Sequence, residues 1–182
     1  MFCSFSRRKR EHKPYILQVD DEAEELVQFS EHFAQEGLDR QYELKQFDTS
    51  ASFLKTLNAI QEFKKIQIQA VIQAVVLDYM IDELTGKDLA KICRKMEPKA
   101  RIIMRSSMYG GNSDPLHRKM DLQIVRGYGA HTFIPKFSDH LNIRNAIEGP
   151  LEKVSRKNLE KQLEEQLKLQ QRNNNRRKGN GK

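Results

Sequence analysis

The chain has 182 residues, 31% of them charged and 38% hydrophobic, enough for one domain and an extension but not for two full domains. Its net charge of +7 sits at the ends: residues 1–14 carry +4 and residues 151–182 carry +6, which leaves −3 for residues 15–150 and excludes the basic pI as a mark of a nucleic-acid-binding core. The absence of any apolar run near the roughly 18–20 residues of a membrane helix excludes a spanning segment, and two cysteines exclude a disulfide framework or a Cys-rich zinc site.

Residues 1–13 form a basic N-terminal segment. In MFCSFSRRKREHK the charge follows a short apolar stretch, the reverse of a secretory signal, so a reducing, cytoplasmic location is expected. Tyr15-Ile16-Leu17-Gln18-Val19 then reads as a strand ending at Asp20-Asp21. From Ala23 to about Glu36, Leu26, Val27, Phe29, Ser30 and Phe33 recur at helical spacing, and Gly37 supplies a stop. Tyr42 to Phe47 alternates apolar and polar, as a half-buried or edge strand does. Thr49 or Ser50 caps the next helix, whose apolar face uses Phe53, Leu54, Leu57, Ile60 and Phe63.

Ala74-Val75-Val76-Leu77 runs without a polar break into Asp78, which predicts a central strand buried on both faces. Thr85 or Gly86 opens a helix through Leu89, Ile92, Cys93 and Met96, closed by Pro98. Ile102-Ile103-Met104 is a further strand ending in Arg105-Ser106-Ser107. Residues 114–126 read as helix and Thr132-Phe133-Ile134 as a last strand. A short helix capped by Ser138 or Asp139 breaks at Gly149-Pro150. Strand and helix thus alternate five times. That order predicts a doubly wound, flavodoxin-like parallel sheet of five strands with helices on both faces, because parallel neighbours need crossovers.

In such sheets functional groups gather at the carboxyl ends of the strands. Here those ends carry Asp20-Asp21, Asp78, Ser106 and Lys136. Three carboxylates repel one another and call for a hard cation such as Mg²⁺, while a lysine and a hydroxyl suit the spread charge of a transferring phosphoryl group. An aspartate can itself accept that group as an acyl phosphate. The five histidines show no ligand spacing, and neither a Ser-His-Asp pattern nor a GxxxxGK phosphate loop is present.

Four motifs in this order, ILQVDDE at 16–22, VVLDYMIDELTG at 75–86, IIMRSS at 102–107 and GAHTFIPKF at 129–137, resemble the response-regulator receiver domains of two-component signalling. The resemblance covers roughly residues 14–148. It implies Asp78 as phosphoacceptor and Asp21 as a direct Mg²⁺ ligand. Asp20 would bind through water, and the Met80 carbonyl would be a further ligand. It also implies Lys136 against the phosphoryl oxygens, Ser106 as switch hydroxyl, Phe133 as switch aromatic and Gly86 as turn glycine. Met80 and Met108 occupy positions that tune hydrolysis of the acyl phosphate in this family, and two apolar side chains there predict slow self-dephosphorylation.

The chain departs from the family pattern at three places. Pro135 precedes Lys136 where a proline usually follows it, and Phe137 takes the following position. Asp82 replaces the usual proline four residues after the phosphoacceptor, and Gly110-Gly111-Asn112-Ser113 reads as an added loop.

After Pro150, residues 151–172 of an extension spanning 149–172 are strong helix formers, with Leu151, Val154, Ser155, Leu159, Leu163 and Leu167 on a narrow stripe. This reads as an amphipathic extension, and the stripe also permits a dimer contact. Residues 173–182 read as a basic, disordered tail, with no conventional output domain.

The expected function is a stand-alone switch rather than a turnover enzyme. It would take a phosphoryl group from a histidine kinase or phosphotransfer protein and change its binding to an output partner, or relay the group. One alternative is a degenerate receiver that binds through its basic ends, including weak contact with nucleic acid or an anionic membrane. A Mg²⁺-dependent phosphohydrolase is another, with no second acid two residues after Asp78 to support it.

Overall fold

The computed structural model describes residues 12–65, 71–107, 115–136 and 141–151. The expected structures of the N-terminal segment before His12, the 110–113 loop, the caps at Ser138 and Asp139, the helical extension beyond Leu151 and the C-terminal tail lie outside the described residues, as do Met108 and Phe137.

Five strands form the main sheet: β1 (Tyr15–Val19), β2 (Glu43–Phe47), β3 (Ile72–Asp78), β6 (Arg101–Ser106) and β7 (Thr132–Pro135). Their spatial order is β2-β1-β3-β6-β7, and every pairing between neighbours is parallel. Among the described residues are five α-helices, α1 (Ala23–Gln35), α2 (Ser50–Lys65), α3 (Gly86–Met96), α4 (Pro115–Gly127) and α5 (Leu141–Glu148); the first four supply the crossovers, and α5 follows the last strand. The predicted (βα)5 sheet is therefore the observed one, with β3 at its centre and β2 at an edge. Among the described residues no helix is long and apolar enough to cross a membrane.

Alternation along the strands divides the core in two. Ile16, Ala74, Val76 and Ile103 pack with Phe29 and Phe33 of α1 and Ile143 and Ile147 of α5. Leu17, Val75, Leu77, Ile102 and Met104 face the other way, against Phe53 and Leu57 of α2, Leu89 and Cys93 of α3, and Leu122 of α4. Two predicted core positions are exposed. Val27 is 57% and Phe63 49% exposed, because each lies at the border of its helix's apolar stripe.

Two local features escaped the sequence pattern. Leu38–Arg40 forms one 3₁₀ turn after Gly37, whose φ of +65° favours glycine. Between β3 and α3 a small antiparallel hairpin pairs β4 (Met80–Ile81) with β5 (Leu84–Thr85).

Asp82 sits at the tip of this hairpin with φ +32°. Proline, fixed near φ −65°, does not fit that conformation, which accounts for Asp82 standing where the family pattern has proline. The Asp82 carboxylate accepts hydrogen bonds from the Ser50 backbone N–H at 2.9 Å and the Ser50 hydroxyl at 2.7 Å, tying the loop to the start of α2. Those bonds, the Ser50 hydroxyl first, hold Asp82 below the ordinary carboxylate pKa. Asp82→Ala is therefore expected to cost about 1 kcal/mol in chemical denaturation. A stability equal to the parent's would contradict this tie.

Candidate functional site

The sheet order places the site. α1 leaves β1 toward one face and α3 leaves β3 toward the other, so a crevice opens at the carboxyl ends of these adjacent strands. Asp20 follows β1 and Asp78 ends β3. Ser106 ends β6 one residue beyond Arg105, the register partner of Asp78, and pairs with Pro135 of β7. Lys136 follows Pro135, and its N–H donates to the Ser106 carbonyl at 3.3 Å.

Four of the expected polar residues stand at the strand ends and are buried, Asp20, Asp78, Ser106 and Lys136, and the side chains of Asp20, Asp78 and Lys136 converge. The Lys136 ammonium is the hub. Its Nζ lies 3.3 Å from Asp20 Oδ1, 3.4 Å from Asp78 Oδ1 and 3.0 Å from Glu22 Oε1. Burial by itself would lower the lysine pKa, but the bond to Glu22 and the charges of Asp20 and Asp78 together raise it, so the ammonium stays charged.

The two buried aspartates respond in the opposite sense from exposed acids. Burial first, then the charge of Asp78, pushes Asp20 up to about 6 against the pull of Lys136. Burial also raises Asp78, opposed by Lys136 and by hydrogen bonds from the N–H groups of Tyr79 and Met80. Both carboxylates thus carry an ionisation cost that an added cation would relieve.

Carboxylate oxygens of Asp20, Glu22 and Asp78 lie within 4.8 Å of one another. Asp20 Oδ2 is buried without a hydrogen-bond partner. A set of hard oxygen donors with one of them unsatisfied fits a divalent cation of the Mg²⁺ type. Asp21, the expected direct ligand, is exposed, as Glu22 is, and its carboxylate accepts from the Asp82 N–H at 3.5 Å. Glu22, to which the sequence gave no role, joins Asp20 and Asp78 in the cluster. The signal was present as a third acid in the run DDE, but its direction depends on where α1 begins.

Around this centre, Met80 is 63% exposed on the hairpin. Phe133 is turned inward, with the Arg118 guanidinium 5.3 Å from its ring centroid. Gly86 packs so closely under the site that a Cβ there would lie 2.0 Å from the Asp78 carbonyl oxygen. The sequence reading also gave no role to Arg105, which is buried and lies 3.7 Å from Asp20 Oδ2 and 2.6 Å from Glu25 Oε2.

With this geometry in view, comparison with solved structures shows what the fold is. A receiver domain protein from Clostridium thermocellum superposes with a TM-score of 0.54 at 19% identity, covering 74% of this chain and 90% of that one. A CheY-like receiver domain protein from Methanospirillum hungatei gives 0.54 at 18% identity, covering 84% and 98%. The response regulator DrrB of Thermotoga maritima gives 0.52 at 19% identity over 75% of this chain, which spans 53% of DrrB's length. No family model matches the sequence, and no curated protein sequence matches it. The chain has the fold of response-regulator receiver domains.

Proposed function

We propose that this protein is a phosphorylation switch in which Asp78 accepts a phosphoryl group from a phosphohistidine donor. The observation that carries the proposal is the placing of Asp78. A buried carboxylate at the end of the central strand is 3.4 Å from a buried ammonium and shares it with a second buried carboxylate. Such an arrangement has no need of so many charges for stability alone, since buried charges cost more to desolvate than most pairings return.

In the proposed reaction an Asp78 carboxylate oxygen attacks phosphorus, the phosphorus–nitrogen bond breaks, and the departing imidazole keeps the bond's electron pair. Lys136 stands where it can neutralise phosphoryl oxygens. Asp20 and Asp78, joined by Glu22 or Asp21 and by the Met80 carbonyl, would hold Mg²⁺. The ion would supply further neutralisation of the phosphoryl charge. Ser106 and Phe133 would pass the change outward, the hydroxyl moving toward the new group and the ring filling the space behind it. The consequence would be altered affinity for a partner protein in the cytoplasm, or onward transfer, and not catalytic turnover.

The proposal is tested by intact mass after incubation with Mg²⁺ and acetyl phosphate or phosphoramidate. One added phosphoryl group is expected, absent in Asp78→Asn and absent without the metal. No adduct from either donor would leave the fold as a binding module. Repeated turnover of a phosphate ester would make it a hydrolase.

The lifetime of the adduct tests a finer point. The exposed Met80 carries no strong hydrogen-bonding group to orient an attacking water, and neither does the side chain at position 108, two residues after Ser106 in the sequence. Met80→Asn with Met108→Glu should shorten the phosphoryl half-life by about tenfold, as a positioned polar group assists proton transfer from water. An unchanged half-life would contradict the slow-hydrolysis reading.

A further inference from the structure

Arg105 is a second resident cation, held where a metal's charge would act. It lies at the end of β6 beside Ser106 and, like Lys136, is buried. Its Nη1 is 2.6 Å from Glu25 Oε2 and 3.7 Å from Asp20 Oδ2, and its Nη2 donates to Gln28 Oε1 at 3.2 Å. The guanidinium also lies 5.6 Å from the Phe29 ring centroid. α1 thus grips Arg105 through three side chains and leaves one edge of the guanidinium toward Asp20.

The two oxygens of Asp20 face different cations. Oδ1 takes Lys136 and the Glu22 N–H, while Oδ2 has no hydrogen bond and looks toward Arg105 from beyond bonding distance. Among the described residues, four carboxylates, Asp20, Glu22, Glu25 and Asp78, lie against two cations, Lys136 and Arg105, so acids outnumber the bases that face them.

We propose that Arg105 is a positioning residue that competes with the divalent cation for Asp20, so that this chain binds Mg²⁺ more weakly than its acid cluster alone would. Resting on the phosphoacceptor reading above, the inference adds how metal occupancy is set. A guanidinium fixed near a ligand oxygen repels an arriving ion and withholds part of that oxygen's charge. Because α1 holds the guanidinium, tight metal binding at Asp20 would also pull on Glu25 and Gln28.

Mg²⁺ titration by calorimetry, at constant ionic strength and neutral pH, tests this. Arg105→Met alone would leave the partly buried Glu25 beside no cation and risks misfolding, so it is paired with Glu25→Gln. The double variant, with its fold verified by circular dichroism, is expected to bind Mg²⁺ about tenfold more tightly than the parent. Arg105→Lys should keep the parent's weaker affinity, because a cation still faces Asp20. Equal or weaker binding by the double variant overturns the role of Arg105. No binding by parent and variants alike overturns the metal reading itself, and the inference with it.

Discussion

Lys136→Met is expected to lose about 3–5 kcal/mol of stability near neutral pH, the cost of leaving buried charges without their partner. The ammonium contacts Asp20, Glu22 and Asp78 at once, and both Lys136 and Asp20 are almost wholly buried. Without it, Asp20 and Asp78 face each other in a low-dielectric crevice. Asp20 already stands at about 6, mainly through burial and then through the charge of Asp78.

The sign of the pH dependence follows from that shift. A carboxyl whose folded pKa lies above its unfolded value binds its proton more tightly in the native state. Ionising it therefore costs stability, fully above the folded pKa and not at all below the unfolded one. Asp20 penalises the fold progressively from near 4 to above 6, and removing Lys136 widens that window upward. The variant's deficit should shrink on acidification toward about pH 5, and Mg²⁺ should recover part of it at neutral pH. Urea melts at the two pH values, with and without Mg²⁺, read this directly. A loss below about 1 kcal/mol, or one that grows on acidification, would contradict the role given to Lys136.

Gly86→Ala is the second substitution with a large expected effect. The obstacle is space, because Gly86 begins α3 directly beneath the end of β3. An added Cβ would lie 2.0 Å from the Asp78 carbonyl oxygen and 3.0 Å from both the Asp78 carbonyl carbon and Met104 Sδ. The first two are backbone atoms of the strand that carries the phosphoacceptor, so they cannot swing aside as a side-chain tip does. The Gly86 N–H also donates to the Tyr79 carbonyl at 2.8 Å, which fixes the hairpin's return. A loss of about 3 kcal/mol or more is expected in thermal or urea unfolding. Phosphoryl uptake should slow in whatever fraction folds, since Asp78 must shift. A variant as stable as the parent would show that the hairpin can open to admit a methyl group.

Much of the fold was legible because its strands are dense apolar runs and its helices carry clear stripes. Ala74 to Leu77 has no polar residue, and the structure places it at the sheet's centre. The strand ends were legible for the same reason: each run stops at the polar residue that the sheet delivers to the crevice. Contacts that depend on rotation or on long-range approach were not legible. Glu22 and Asp21 are neighbours in an acidic run, and only the direction in which α1 leaves β1 turns Glu22 toward Lys136 and Asp21 toward the Asp82 N–H. Arg105 read as the polar end of a strand, and its partners Glu25 and Gln28 stand about eighty residues away in sequence. The β4–β5 hairpin has two residues per strand, too few for any alternation to register. Asp82 was visible as a departure, whereas its positive φ and its bonds to Ser50 were not.

The central claim is that a carboxylate oxygen of Asp78 becomes an acyl phosphate, and borohydride trapping tests it most directly. Hydride reduces an acyl phosphate to the alcohol and releases phosphate, converting the labelled aspartate to homoserine. After treatment with phosphoramidate and Mg²⁺, the peptide spanning Tyr79 and its neighbours should carry homoserine at position 78 and nowhere else. A phosphoryl group that survives reduction on Ser106 or a histidine, or no reducible adduct at all, would contradict the account.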